Sequence, residues 1–242
     1  MAKLISQISD SSQENKSIFD KYSDYAKHYT EIYGNRVAIL MMVGSFYELY
    51  GLKTDPSRSI ADVAKLCQLN TSEKKKGIVD GHQVLMAGFP EYTLEKYVQI
   101  FSDAGYTSVV INQDEENSKK GDKKKHMIHS IYSPGTYIPA ISDSTEKSNN
   151  IMCVWISAYI PLHKTRANLV FGVSVLNMFT GKSYLAEHMV PYENNPTTFD
   201  ELERAFSIFV PCEVIFLHDL AIVNITIKDV KIFSGLECDC VH

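Results

Sequence analysis

Residues 44–51 read GSFYELYG and directly follow the apolar run VAILMMV. They set a flat apolar ring (Phe46), a ring with a hydroxyl (Tyr47) and a carboxylate (Glu48) at successive positions. On an extended chain, alternation sends Phe46 and Glu48 to one face and Tyr47 to the other. The triplet reads two ways. It is either a strand end with one inward aromatic and one solvated acid, or a surface with a ring for stacking and an acceptor for hydrogen bonding. Two lysine-rich stretches accompany it: EKKKG at 73–77, with Lys74, Lys75 and Lys76, and SKKGDKKKH at 118–126, with five lysines against one Asp. Such runs are solvated loops unless the fold gathers them on one face, where they become an electrostatic footprint for phosphates.

Other chemistry is missing its parts. A two-metal nuclease needs clustered carboxylates to hold ions about 4 Å apart. The apolar segment IMCVWISAYI (151–160) has no acid, and VSVLNMFTG offers the neutral Asn177 where an acid would be needed. MFTGKS (178–183) ends like a phosphate loop but lacks its first glycine, and it sits in a hairpin pattern rather than before a helix. Nothing orders the eight histidines into a Ser-His-Asp arrangement. Cys238, Cys240 and His242 come close together, but zinc needs four well-spaced ligands and no second pair exists. No catalytic residue and no metal site is therefore assigned to this chain. The five cysteines are odd in number and scattered, so free thiols in a reducing compartment are expected.

The 242 residues (27.3 kDa) suit two ordinary domains, and 45% apolar with 22% charged residues is the composition of a folding, water-exposed chain. A net charge of −5 argues against binding nucleic acid through bulk charge, though not through local basic loops. No stretch approaches the roughly 20 apolar residues that span a bilayer. The first residues, MAKLISQISDSSQENKS, lack the apolar core and cleavage site of a secretion signal, so an intracellular location is expected.

Periodicity then supplies the elements. Ile18, Tyr22, Tyr25, Tyr29 and Ile32 stand at helical spacing within 14–33, with Gly34 as the stop. The run 36–44 is a buried strand. Residues 55–69 read as a helix capped by Asp55 or Ser57, 83–88 as a strand, and 90–106 as a helix begun by Pro90 and stopped by Gly105. Strands follow at 107–112 and 126–133, and Pro134-Gly135 marks a turn. The polar stretch 142–150 reads as a linker. Beyond it come strands at 151–160, 168–178 and 182–189, a helix at 197–209 capped by Thr197 or Thr198, and strands at 212–217 and 230–234. Three strands, a helix and a returning strand resemble the RNase H-like arrangement.

Three blocks carry a family resemblance: VGSFYELYG (43–51), LMAGFPEYTLEKYVQIFSDAGYTSVVINQ (85–113) and HSIYSPGTYI (129–138). In order and spacing they resemble the N-terminal mismatch-recognition domain of the DNA mismatch repair protein MutS family. The second half resembles the connector domain of that family. The implied fold class is α/β: a mixed-sheet recognition domain at 14–138, a linker at 139–149, and an RNase H-like connector without catalytic carboxylates at 150–242.

In the family the first aromatic of F-x-E enters the minor groove and stacks on a mispaired base, while the acid bonds to that base. Phe46 and Glu48 match those positions. Ser45, Lys74, Lys75, Lys76, Met86, Ala87 and Gly88 match a region near the DNA backbone. Ser45, Asn112 and Asn177 depart from the family pattern, which carries acids there. The chain ends before the lever, clamp and ATPase regions, so it is expected to be a piece of a longer ATPase. ATP and Mg, a MutS-like dimer partner and a MutL-type protein would engage the remainder. The implied function is recognition of mispaired or bulged duplex DNA. The alternatives are a MutS-fold DNA-binding or scaffold module without mismatch preference, and a divergent nuclease.

Overall fold

A computed structural model describes residues 17–55, 59–79, 81–113, 125–138 and 149–236. The chain opens on helix α1 (Ile18–Tyr33), which Ser17 starts with a capping box. The Ser17 hydroxyl accepts from the Asp20 N–H at 3.2 Å, and the Asp20 carboxylate accepts from the Ser17 N–H at 3.2 Å. Gly34, at φ 78°, lets the chain leave the helix. Strand β1 (Val37–Val43) follows, then β2 (Phe46–Leu52), helix α2 (Ala61–Leu66), β3 (Ser72–Val79), β4 (His82–Pro90), helix α3 (Leu94–Asp103), β5 (Thr107–Gln113) and β6 (His126–Tyr132). The chain divides into two units between Ser133 and Pro134.

The first unit is built on one six-stranded sheet in the order β3-β4-β2-β1-β5-β6. Only the β1–β5 pair is parallel; the other neighbours are antiparallel. Helix α1 lays Phe19, Tyr22, Tyr25 and Tyr29 on one face, against Ile39, Met41, Tyr50, Leu52 and Ile111. Burial there pushes the Tyr22 phenol up to about 12. On the other face Tyr47 meets Phe89, and Phe89 stacks on Tyr97 of α3 with ring centroids 4.0 Å apart.

The second unit holds β7 (Asn150–Tyr159), β8 (Asn168–Asn177), β9 (Ser183–Pro191), helix α4 (Asp200–Phe209), β10 (Glu213–Asp219) and helix α5 (Ile227–Phe233). Its sheet runs β10-β7-β8-β9, with β10 parallel to β7 and the rest antiparallel. Met152, Val154, Phe171, Phe199, Leu202, Phe206, Val214 and Val230 form its core. The Pro134-Gly135 turn docks here: the Gly135 N–H donates to the buried Glu213 carboxylate at 2.9 Å.

Several expectations need correction. Residues 230–233 of the strand expected at 230–234 are helical, within α5, because Thr226 and Asp229 form a capping box that outweighs the strand-like alternation of VKIF; Ser234 is the C-cap. The lysine stretch EKKKG lies in edge strand β3 rather than a loop, since an edge tolerates charged side chains. The helix expected at 55–69 is confined to Ala61–Leu66, with no side-chain cap at Ile60; Ser57 lies outside the described residues. Thr198 does not cap α4, because its hydroxyl donates to the Glu193 carbonyl at 2.7 Å. Phe46 does not end the apolar strand; it begins the next one. Residues 139–148, Cys238 and Cys240 also lie outside the described residues.

Candidate nucleic-acid interface

Val43 pairs with Phe46, so β1 and β2 are joined by the two-residue turn Gly44-Ser45. Gly44 takes φ 63°, while Ser45 stays at negative φ, the pattern of a II′ hairpin whose first central residue must be glycine. Strand β5 braces this tip from the side. The Gln113 Oε1 accepts from the Gly44 N–H at 3.3 Å, and the Asn112 Oδ1 accepts from the Tyr47 hydroxyl at 2.7 Å. The Ser45 carbonyl accepts from the Glu91 N–H at 3.0 Å, which ties the end of β4 to the same tip. Asn112 thus has a structural task, as the acceptor for the Tyr47 hydroxyl.

Alternation along β2 puts Phe46, Glu48, Tyr50 and Leu52 on the α1 face, and Tyr47 and Leu49 on the other. Phe46 is 49% exposed although it is a large apolar residue in a strand. With Tyr92, 87% exposed, it borders an open depression of about 980 Å³ also lined by Glu91, Glu95, Asn112 and His129. Tyr47 is buried. Burial pushes its phenol above the ordinary value, the nearby Glu91 charge adds to this, and the Asn112 bond opposes it.

Glu48 is half-buried and paired in register with Met41 and Gly88. Its carboxylate accepts a hydrogen bond from the Tyr50 hydroxyl, which in turn accepts from the Lys74 ammonium at 3.0 Å. Lys74 also lies over the Tyr50 ring, 4.3 Å from its centroid. The register of β3 shifts between Glu73 and Ile78, and a bulge of this kind re-aims side chains. Burial lowers the Lys74 ammonium below its usual range, and the Glu48 charge partly restores it. Burial and the Glu48 bond raise the Tyr50 phenol.

The remaining site candidates disperse. Ser45 is exposed in the turn. Met86 packs on the α1 core, and Ala87 is buried against Ile60 and Ala64 of the α2 side. Gly88 permits a close approach: a Cβ there would lie 2.9 Å from the Tyr47 carbonyl oxygen. The side chains of Lys75 and Lys76, and residues 114–124, lie outside the described residues. The flanking Gln113 and His126 pair with one another at the Phe46 end of the sheet. Tyr50, Asn112 and Gln113 were missed as site residues. The cue for Tyr50 is its two-residue spacing from Glu48, and the cue for the hairpin is Gly-Ser between two apolar runs.

In the second unit Asn177 holds a turn. Its Oδ1 accepts from the Thr180 N–H at 2.8 Å and its Nδ2 donates to Asn150 at 2.9 Å. Gly181-Lys182-Ser183 lies in the β8–β9 hairpin. Among the described residues no group of three His, Cys, Asp or Glu is placed to hold a metal ion, and no helix is long and apolar enough to cross a membrane.

The first unit therefore defines a class: a mixed α/β domain that presents an aromatic ring and a carboxylate on one face at a braced hairpin tip. Residues 23–140 match the MutS domain I family. That match and the relatives below support a MutS-family N-terminal mismatch-recognition domain over these residues. The chain is 28% identical over 242 residues to a DNA mismatch repair protein mutS homolog of Acanthamoeba polyphaga mimivirus, covering 98% of this chain and 21% of that protein. It is 24% identical over 216 residues to the DNA mismatch repair protein MutS of Christiangramia forsetii, covering 88% and 20%. To the MutS of Parabacteroides distasonis it is 26% identical over 179 residues, covering 73% and 17%. The chain thus spans about a fifth of the length of these relatives.

Proposed function

We propose that this chain recognises mispaired or bulged base pairs in duplex DNA by inserting Phe46 into the minor groove. One observation carries the reading: a half-exposed Phe46 on a braced hairpin tip, with Glu48 on the same face. Wedging a flat ring between base steps costs a few kcal/mol of unstacking, least where pairing is already faulty. Stacking on the ring returns about 1–3 kcal/mol. The balance favours a defect and disfavours sound duplex, so the ring tests local weakness rather than sequence. Glu48 sharpens this. A carboxylate accepts from a base imino N–H that a mispair has left without its partner; at a matched pair that imino donor is occupied, and the carboxylate meets mainly acceptors and phosphates beside the N2–H of guanine.

Glu91 and Glu95 line the depression beside Phe46, so phosphate contacts fall to lysines elsewhere, with the 118–126 run as the nearest source in sequence to this end of the sheet. The second unit is read as the connector, an RNase H-like fold acting as a hinge without catalysing a reaction. ATP and Mg, a MutS-like dimer partner and a MutL-type partner would engage sequence outside these 242 residues, in a reducing, DNA-containing compartment. The test is competitive binding of the chain to short duplexes carrying a G·T mispair, a one-base bulge or no defect. Preference for the two defects is expected. Equal binding to all three would replace this reading with a MutS-fold scaffold that lacks mismatch preference.

A further inference from the structure

Glu48 is not a free carboxylate at a strand end. It is the outer member of a chain that runs inward through Tyr50 to Lys74. We propose that Tyr50 and Lys74 are positioning residues that fix the Glu48 carboxylate for base discrimination, an inference that rests on the reading of Glu48 as an acceptor for a mispaired base.

The geometry supplies the argument. Tyr50 is 2% exposed and its ring is held edge-on by Tyr22 at 5.3 Å, so its hydroxyl is a fixed point in the core. That hydroxyl donates to Oε2 of Glu48 and accepts from Lys74, which uses its one proton and one lone pair in a single direction. Among the described residues the second oxygen, Oε1, has no hydrogen-bond partner, so one acceptor is left for a ligand. Lys74 brings a positive charge into a half-buried setting close behind the carboxylate, where it offsets the repulsion that Glu48 would suffer beside phosphates.

Fixation matters for discrimination in both directions. A carboxylate tied to Tyr50 cannot swing away when a matched pair keeps its imino donor occupied, so the penalty against sound duplex is kept. Facing a mispair, the same carboxylate is already oriented and loses little rotamer freedom on bonding. Removing the tie weakens the defect contact and relaxes the matched penalty together.

The experiment is a double-mutant cycle with the 242-residue chain, measuring affinity for a G·T duplex and for its matched control. Tyr50→Phe keeps the buried ring and removes only the hydroxyl. It is expected to lower the defect-to-matched affinity ratio about 3- to 10-fold. In the Glu48→Ala background the same substitution should leave the ratio unchanged, which a merely structural role for Tyr50 would not produce. Lys74→Met should behave in the same way, with Lys74→Arg restoring part of the loss. If Tyr50→Phe lowers the ratio equally in both backgrounds, or if the parent discriminates and Tyr50→Phe does not alter it, the positioning role is overturned. A uniform loss of affinity on both duplexes for Lys74→Met, with a shallower salt dependence, would make Lys74 a phosphate contact and overturn its place in the chain. If the parent itself shows no preference, the reading of the tip fails, and this inference with it.

Discussion

Replacing Gly88 by alanine puts a methyl group 2.9 Å from the Tyr47 carbonyl oxygen and 3.5 Å from Cγ of Glu48. The first contact is with backbone, in the β2–β4 ladder where Glu48 and Gly88 are partners, so no flexible side chain can yield. The strands must part by a few tenths of an ångström at the residue that carries the acceptor. Overpacking of this kind costs about 1–3 kcal/mol. In a domain of this size each kcal/mol moves Tm by about 3–5 °C, so the expected fall is about 3–15 °C. Gly172→Ala is the internal control. Its methyl would meet Trp155 at 3.5 Å, an ordinary contact, and the lost backbone freedom of the unfolded chain should make it neutral or stabilising by up to about 1 kcal/mol. The assay is thermal unfolding of the two variants, followed by binding to mispaired and matched duplex. Gly88→Ala should unfold earlier and discriminate less. An unchanged Tm with full discrimination would refute the close approach of β4 to β2 beside Glu48.

Two further outcomes follow from the local chemistry. Thr226→Ala removes the hydroxyl that accepts from the Asp229 N–H at 3.3 Å and should destabilise the second unit by about 1 kcal/mol, read as an earlier thermal transition; no change would mean that the box does not hold α5. Burial lowers the His126 imidazole below its ordinary 6.5, and its Nε2–H donates to the Met42 carbonyl at 2.9 Å. The folded chain then binds fewer protons at this residue than the unfolded chain. Its contribution is complete above about pH 6.5 and is lost as pH falls through the lower folded value. The urea midpoint should drop on acidification from about pH 7.5 to 5.5, and His126→Gln should show a smaller drop; equal drops would remove His126 as a cause.

The readable parts of this chain were those where one period dominates. Helix α3 declares itself through Val98 and Phe101 on one face, and β1 and β5 through apolar runs that are buried on both faces of the sheet. Strand β3 was hidden because three successive lysines, which an edge strand tolerates, mask any apolar alternation in its sequence. Helix α5 was hidden because its seven residues are too few for a helical period to outweigh a chance alternation, and its cap was the stronger signal. At the site, two-residue alternation was enough to place Phe46 and Glu48 together. The link from Glu48 to Lys74 was not legible, since it crosses from β2 past β4 to β3 and depends on a register shift that no spacing in the sequence announces. The departures at Asn112 and Asn177 read as losses of acids, and both prove to be hydrogen-bonding supports.

The most direct test of the account is the binding of Phe46→Ala beside the parent chain, on mispaired, bulged and matched duplexes over a series of salt concentrations. Phe46 is half-exposed, so its removal should leave Tm nearly unchanged while deleting about 1–3 kcal/mol of stacking. The account predicts that the parent prefers the defects. It predicts that the variant binds all three duplexes alike, weakly and with a steep dependence on salt. A variant that kept the parent's preference would contradict the wedge.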